Sequence, residues 1–318
     1  MPKLLLFLLG LFAALLLLIL AAAYVCCRLA FAAPKKRSDS AFDLPDSEQV
    51  APFAPQIRQM IREACAIPFE EVTIPSFDQT PLFGRVYPAA RADAPWLLLF
   101  HGYRSAALRD FCEGLPFGLA QGCHVLLVDQ RAHGKSGGKF LTMGVLERRD
   151  CRAWIRYIIN RSGPQTKIIL YGLSMGAATV LMAADSLPDP VVGIVADCGY
   201  SSPEKILKKV IRDLRLPLFP TYPLLRLGAR LFGGFDPRSA SAEKSLASYT
   251  RPLLLLHGED DRFVPCSMSR DLFAACPSEE KTLLTFPHAG HGLSYFADPK
   301  AYRTAVAAFF EKNFSKSS

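Results

Sequence analysis

Three observations predict an α/β fold with a mostly parallel sheet. Short runs rich in Leu, Ile and Val recur along the chain, they lack the apolar–polar alternation of half-exposed strands, and helical stretches separate them. Such runs suit strands covered on both faces, and the helices between them make the connections βαβ crossovers. At 318 residues, with 50% hydrophobic and 21% charged, the chain can bury a sizeable core and is neither disordered nor a multi-span membrane protein.

Leu4 to Cys27 contains no charged side chain and is long enough to cross about 30 Å of hydrocarbon as a helix. A signal peptide normally carries an apolar core of only about 7–15 residues. Residues 1–33 are therefore expected to be an uncleaved transmembrane anchor, with a signal sequence cut near Ala30-Phe31-Ala32 as the alternative. Val25 before Cys26 does not fit a lipoprotein signal, which needs a small residue there. Lys3 precedes the segment while Arg28, Lys35, Lys36 and Arg37 follow it, which favours a cytoplasmic domain. Either side of the membrane stays open, because an orientation with the N-terminus inside is common for leading anchors.

Residues 34–66 read as a basic juxtamembrane linker, rich in Pro, Ser, Asp and Ala from Ser38 to Pro55, and a short helix at Gln56 to Ala66. Residues 67–318 are the expected catalytic domain. Phe69 to Pro75 and Pro81 to Tyr87 read as strands joined by a turn at Ser76-Phe77-Asp78-Gln79. Trp96 to Phe100, His124 to Val128, Lys167 to Tyr171, Val191 to Ala196, Pro252 to Leu256 and Thr282 to Phe286 follow as apolar strands. Helices are expected at Ser105 to Gln121, Val145 to Asn160 and Met175 to Ser186. The rhythm breaks at about 200–249, where helices at Lys205 to Leu214 and Leu224 to Phe232 flank Pro217, Pro220 and Pro223. An insert this long is expected to be either a lid or an ordinary packed helix pair.

The net charge of +8 draws on the basic cluster after the anchor, which attraction to an anionic bilayer explains. No basic stretch interleaved with aromatics resembles a nucleic-acid motif, so no nucleic-acid partner is expected. Beyond the anchor the remaining seven of nine cysteines are scattered without a Cys-x-x-Cys pair, which suggests neither a zinc site nor a disulfide framework.

Gly-x-Ser-x-Gly occurs twice. In Gly172-Leu173-Ser174-Met175-Gly176 a strand runs straight into a helix, and small neighbours permit the tight turn that lifts a hydroxyl above the sheet. Ser136 in Gly134-Lys135-Ser136-Gly137-Gly138 lies seven residues past a strand end with no helix beginning at once after it, and reads as a structural turn. A serine becomes nucleophilic only when a histidine takes its proton and a third group holds that histidine. Of six histidines, His291 in Gly290-His291-Gly292 follows the last strand, where flanking glycines let the backbone turn it towards the sheet edge. His288 is the fallback. For the acid, Asp260 or Asp261 follows the strand Pro252 to Leu256, and Asp197 is a third candidate.

These pieces together resemble the α/β-hydrolase superfamily, and within it the lipase, esterase and serine-aminopeptidase-like branch. The matches are His101-Gly102, the loop Asp129-Gln130-Arg131-Ala132-His133-Gly134-Lys135-Ser136-Gly137, Gly172 to Gly176, His257-Gly258 with Asp261 and Val264-Pro265, and Gly290-His291-Gly292. The resemblance implies an eight-stranded sheet flanked by helices, with a small helical lid. It selects Asp261 over Asp260, because the pattern His-Gly-x-x-Asp-x-x-Val-Pro falls there, and orders the triad as Ser174, Asp261, His291. It also implies an oxyanion hole from the backbone N–H groups of Tyr103 and Met175. Ala132 departs from the family's usual glycine.

The expected function is a membrane-anchored serine hydrolase that cleaves an ester or related acyl bond, lipid esters included, with no cofactor or metal. The alternatives are an aminopeptidase-like activity, for which no acidic cluster to hold a peptide amino terminus is legible, and a non-catalytic binding protein.

Overall fold

The computed structural model describes residues 2–33 and 41–315. The cluster Lys35, Lys36 and Arg37 and the first residues of the expected linker lie outside them. The strands are β1 (Glu70–Pro75), β2 (Pro81–Tyr87), β3 (Trp96–Phe100), β4 (His124–Val128), β5 (Ile168–Leu173), β6 (Val191–Asp197), β7 (Leu253–Gly258) and β8 (Lys281–Phe286). They form one eight-stranded sheet in the order β1-β2-β4-β3-β5-β6-β7-β8. β1 and β2 make an antiparallel hairpin, and β2 joins β4 antiparallel. All the pairings from β4 through β8 are parallel.

The absence of alternation in the strands has its expected cause. Leu98 and Phe100 of β3 enter one core while Leu97 and Leu99 enter the other, so both faces are dry. The helices are α1 (Pro2–Phe31), α2 (Ala54–Cys65), α3 (Ala107–Asp110), α4 (Gly114–Ala120), α5 (Glu147–Ser162), α6 (Met175–Met182), α7 (Pro203–Asp213), α8 (Leu218–Leu231), α9 (Ala242–Leu246), α10 (Ser267–Ala275), α11 (Ser294–Ala297) and α12 (Pro299–Ser315). One face is covered by Trp154 of α5, Val180 of α6, Ile206 of α7 and Leu272 of α10. The other is covered by Ile61 of α2, Leu115 of α4 and Phe310 of α12.

Two elements differ from the sequence expectation. The helix expected over Ser105 to Gln121 is broken into α3 and α4, because Asp110 turns its carboxylate back to the Gly102 N–H (2.7 Å) and the Ser105 hydroxyl. The second helix of the insert starts earlier than expected, with a kink at Phe219. Pro220 and Pro223 sit in the first turn beyond that kink, where helical N–H groups have no intrahelical partner to lose.

α1 is long and apolar enough to cross a membrane. Its side chains from Leu4 to Ile19 stand exposed, whereas Ala23, Cys27 and Phe31, one turn apart, are fully buried against the domain. The projecting part is about 20 residues and hence about 30 Å long, the thickness of a hydrocarbon core. α1 packs on α8 at Gly228, where a Cβ would lie 2.0 Å from the Ala23 carbonyl oxygen, so only glycine allows the two backbones to touch.

Candidate active site

Residues 172–176 carry the chain from the end of β5 directly into α6. Ser174 has φ 56° and ψ −115°, a region that L-residues rarely adopt and that tertiary contacts must hold. Gly172 and Gly176 make room for it. A Cβ on Gly176 would lie 1.8 Å from the Phe100 carbonyl oxygen, and one on Gly172 would lie 2.3 Å from the Gly176 carbonyl.

The turn brings the Ser174 hydroxyl to 2.8 Å from His291 Nε2. His291 Nδ1 lies 2.7 Å from Asp261 Oδ2. Asp261 Oδ1 accepts the Phe263 and Val264 N–H groups, both at 2.8 Å, and its side chain is fully buried. Burial opposes ionisation of Asp261, but hydrogen bonds from His257 and His291 outweigh it and bring its pKa to about 2. The carboxylate is thus ionised throughout the physiological range and fixes the Nδ1–H tautomer of the imidazole.

The other residues considered fall elsewhere. His288 is exposed, 3.6 Å from the exposed Asp260. Ser136 is buried beneath the sheet edge, accepting the Phe83 N–H (2.8 Å) and donating to the Asp129 carbonyl (2.5 Å). Ala132 has φ 63°, which accounts for the usual glycine at this point of the loop.

His101 to Arg104 run beside Ser174: a Cβ on Gly102 would be 3.3 Å from Ser174 Cβ. Three side chains hold this loop, two of them, His101 and His133, buried. His101 Nδ1–H donates to the Gly102 carbonyl (2.8 Å) and Nε2 accepts the Gln130 N–H (3.0 Å). Burial depresses the His101 pKa, so this imidazole stays neutral. Asp110 takes the Gly102 N–H, and His133 Nε2 accepts the Arg104 N–H at 3.0 Å. Among the described residues the N–H groups of Tyr103 and Met175 have no acceptor.

A cavity of about 590 Å³ opens over Ser174 and His291. Leu44, Val50, Ile57, Leu173, Phe263 and Phe296 give it a largely apolar wall. No residue of the 200–249 insert lines it, so the lid expected there is not over the cavity; the insert is a packed helix group beside α6 and α1. Part of the wall comes from residues 44–57, expected to be linker and helix. Gln49 ties that strap to the loop that carries Asp261, donating to the Asp260 carbonyl at 3.1 Å.

A family model described as the alpha/beta hydrolase family matches residues 97–305, from β3 into α12. The chain belongs to the alpha/beta hydrolase family. Among curated proteins, this hydrolase is 28% identical over 228 residues to the uncharacterized protein YqkD of Bacillus subtilis, covering 71% of this chain and 74% of that one. It is 28% identical over 228 residues to a monoacylglycerol lipase of Mycolicibacterium smegmatis, covering 61% of this chain and 80% of the lipase. Among solved structures, an esterase of Pyrococcus furiosus, Pf2001, aligns with a TM-score of 0.63 at 23% identity, covering 79% of this chain and 93% of the esterase. That likeness is one of fold.

Two buried groups of the hydrolase site carry no legible motif. Asp197, at the end of β6, accepts hydrogen bonds from the Ser294 and Tyr302 hydroxyls, both at 3.0 Å. Burial pushes its pKa up to about 6 against those bonds and the nearby imidazoles of His257 and His291. The Cys198 thiol lies within 4.8 Å of ligand atoms of Asp261 and His291. These three are the described residues best placed to hold a metal, but two of them already share a hydrogen bond.

Proposed function

We propose that the protein is a serine hydrolase that cleaves an ester or related acyl bond through an acyl-enzyme, anchored to a membrane by α1. The observation that carries this reading is the continuous hydrogen-bonded line from Ser174 through His291 to Asp261. Ser174 Oγ attacks the substrate carbonyl while His291 Nε2 takes its proton, and Asp261 holds the resulting imidazolium. The oxyanion is stabilised by the N–H groups of Tyr103 and Met175. His291 then gives its proton to the leaving alcohol. Water attacks the acyl-enzyme with His291 again as base, which releases the acid and restores Ser174. The apolar cavity at Ser174 is of small-molecule size and supports an acyl group as the recognised part. The lipase relative and the projecting α1 support a substrate drawn from or near a bilayer.

The test is labelling of the detergent-solubilised full chain with a fluorophosphonate, followed by turnover of esters of graded acyl length. Labelling lost in Ser174→Ala and kept in Ser136→Ala is expected; equal labelling of all forms, or none of the parent, overturns the proposal. Ser136→Ala is instead expected to cost about 1–3 kcal/mol of stability, because it leaves the buried Phe83 N–H without its acceptor. A denaturation midpoint equal to the parent's would contradict that structural role.

Asp197 gives a pH prediction. Burial raises its pKa from the ordinary 3.8 to about 6, so between those values the folded chain holds a proton that the unfolded chain releases, and stability falls as pH rises through them. Asp197→Asn, which does not titrate, is expected to flatten that fall, read as urea midpoints at about pH 4 and about pH 7. An equal fall in parent and variant would show that Asp197 does not titrate in that range.

A further inference from the structure

We infer that the last turn of α1 is a positioning element for the oxyanion loop, acting through the side chains of Tyr103 and Arg104. The inference rests on the serine-hydrolase reading above, since that reading gives the Tyr103 N–H a task. A helix leaves its final carbonyls without partners. In α1 the oxyanion loop supplies them: the Tyr103 hydroxyl donates to the Ala30 carbonyl (2.8 Å), and Arg104 Nη2 donates to the carbonyls of Leu29 (2.8 Å) and Ala32 (3.4 Å). The Arg104 guanidinium also lies over the Tyr103 ring, 5.2 Å from its centroid.

The helix end is itself held on several sides. Ala33 N–H donates to the Lys139 carbonyl (3.0 Å), and Leu141 N–H donates to the Phe31 carbonyl (2.9 Å). The buried Phe31 ring meets Phe235 edge-on at 5.0 Å, and Ala23 and Cys27 are locked on Gly228. The loop is therefore clamped between two fixed bodies, with His101, Asp110 and His133 on its inner side and α1 on its outer side. Arg104 has φ 49°, so the loop backbone sits in a region that depends on such contacts. Oxyanion donors act only if their geometry is fixed before the charge develops, and small displacements near the reacting atoms cost orders of magnitude in rate.

This arrangement makes α1 part of the working enzyme rather than a removable leader. It joins residues one position apart in the loop to a membrane-spanning element, so contact with the bilayer and geometry at Ser174 share one connection. The side chains act at a distance from the substrate; they are positioning residues.

The experiment uses the full chain in lipid nanodiscs and compares the parent with Tyr103→Phe, Arg104→Ala and Arg104→Lys. Tyr103→Phe removes only a hydroxyl and keeps the ring packed. The expected result for Tyr103→Phe and Arg104→Ala is a fall in kcat of about 10- to 100-fold with KM little changed. A boronic acid, which forms a tetrahedral adduct on serine, should weaken by a similar factor, and Arg104→Lys should recover part of the loss. Parent-like kcat and boronate affinity in both Tyr103→Phe and Arg104→Ala overturn the inference while leaving the serine-hydrolase reading intact. A parent that turns over no ester and is not labelled at Ser174 sinks both together. Intact mass of the protein purified from membranes is expected to include α1, and a mature chain beginning after Ala32 would also overturn it.

Discussion

Ser174→Ala is expected to lower kcat by about 10⁶-fold while leaving the fold intact. The hydroxyl is the atom proposed to bond the substrate, and its 2.8 Å contact to His291 Nε2 is the route for its proton. Alanine keeps the elbow's Cβ and backbone demand, so the thermal midpoint should move little. His291→Ala should cost about as much, and the double replacement should cost no more than either alone, because the residues act as one unit. Asp261→Asn, nearly isosteric, should lose about 10⁴-fold by stabilising the wrong imidazole tautomer. Single-turnover kinetics on an activated ester would read all four forms. An additive loss in the double variant, or a Ser174→Ala enzyme with more than a few per cent of parental activity, would mean that another group performs the attack.

Gly176→Ala should be the most damaging single methyl in the protein. Its Cβ would stand 1.8 Å from the Phe100 oxygen and 2.8 Å from the His101 oxygen, both backbone atoms that end β3. Neither can retreat without pulling β3 out of its pairing with β4 and β5 or moving the oxyanion loop. A loss of more than about 4 kcal/mol is expected, a large share of the roughly 5–15 kcal/mol by which a typical domain is stable. Gly122→Ala is the control. Gly122 has φ 76° with nothing within 4 Å, so it should incur only the conformational cost of about 1 kcal/mol. Urea denaturation of the two variants separates steric collision from backbone preference. Similar midpoints would show that the elbow is looser than its contacts imply.

The strand positions were legible because burial on both faces leaves a local trace. Trp96–Phe100 and His124–Val128 are unbroken apolar runs, and the structure places them side by side in the centre of the sheet. The elbow was legible for a similar reason: close approach of α6 to β3 demands glycine at 176, its approach to β5 demands glycine at 172, and both demands are met within five residues of chain. The choice between two Gly-x-Ser-x-Gly stretches followed from what comes next, since a helix begins at Met175 and none begins directly after Ser136. Asp260 and Asp261 could not be separated by their local setting. Their difference lies in the chain folding under one of them, so that Asp261 is buried against two histidines while Asp260 faces solvent.

By itself the sequence determined the α/β class, the order of the strands along the chain, a membrane-length apolar helix, and the residues able to form a nucleophile, a base and an acid. Those properties depend on burial, glycine demand and hydropathy, which neighbouring residues record together. Only the tertiary structure decided that residues 44–57, rather than the 200–249 insert, join the wall of the cavity. It alone joined the end of α1 to Tyr103, 73 positions away. Both outcomes rest on peptide carbonyls and ordinary apolar side chains meeting partners far along the chain. Every residue carries a carbonyl, so nothing in local composition distinguishes the few that the fold brings to the active site.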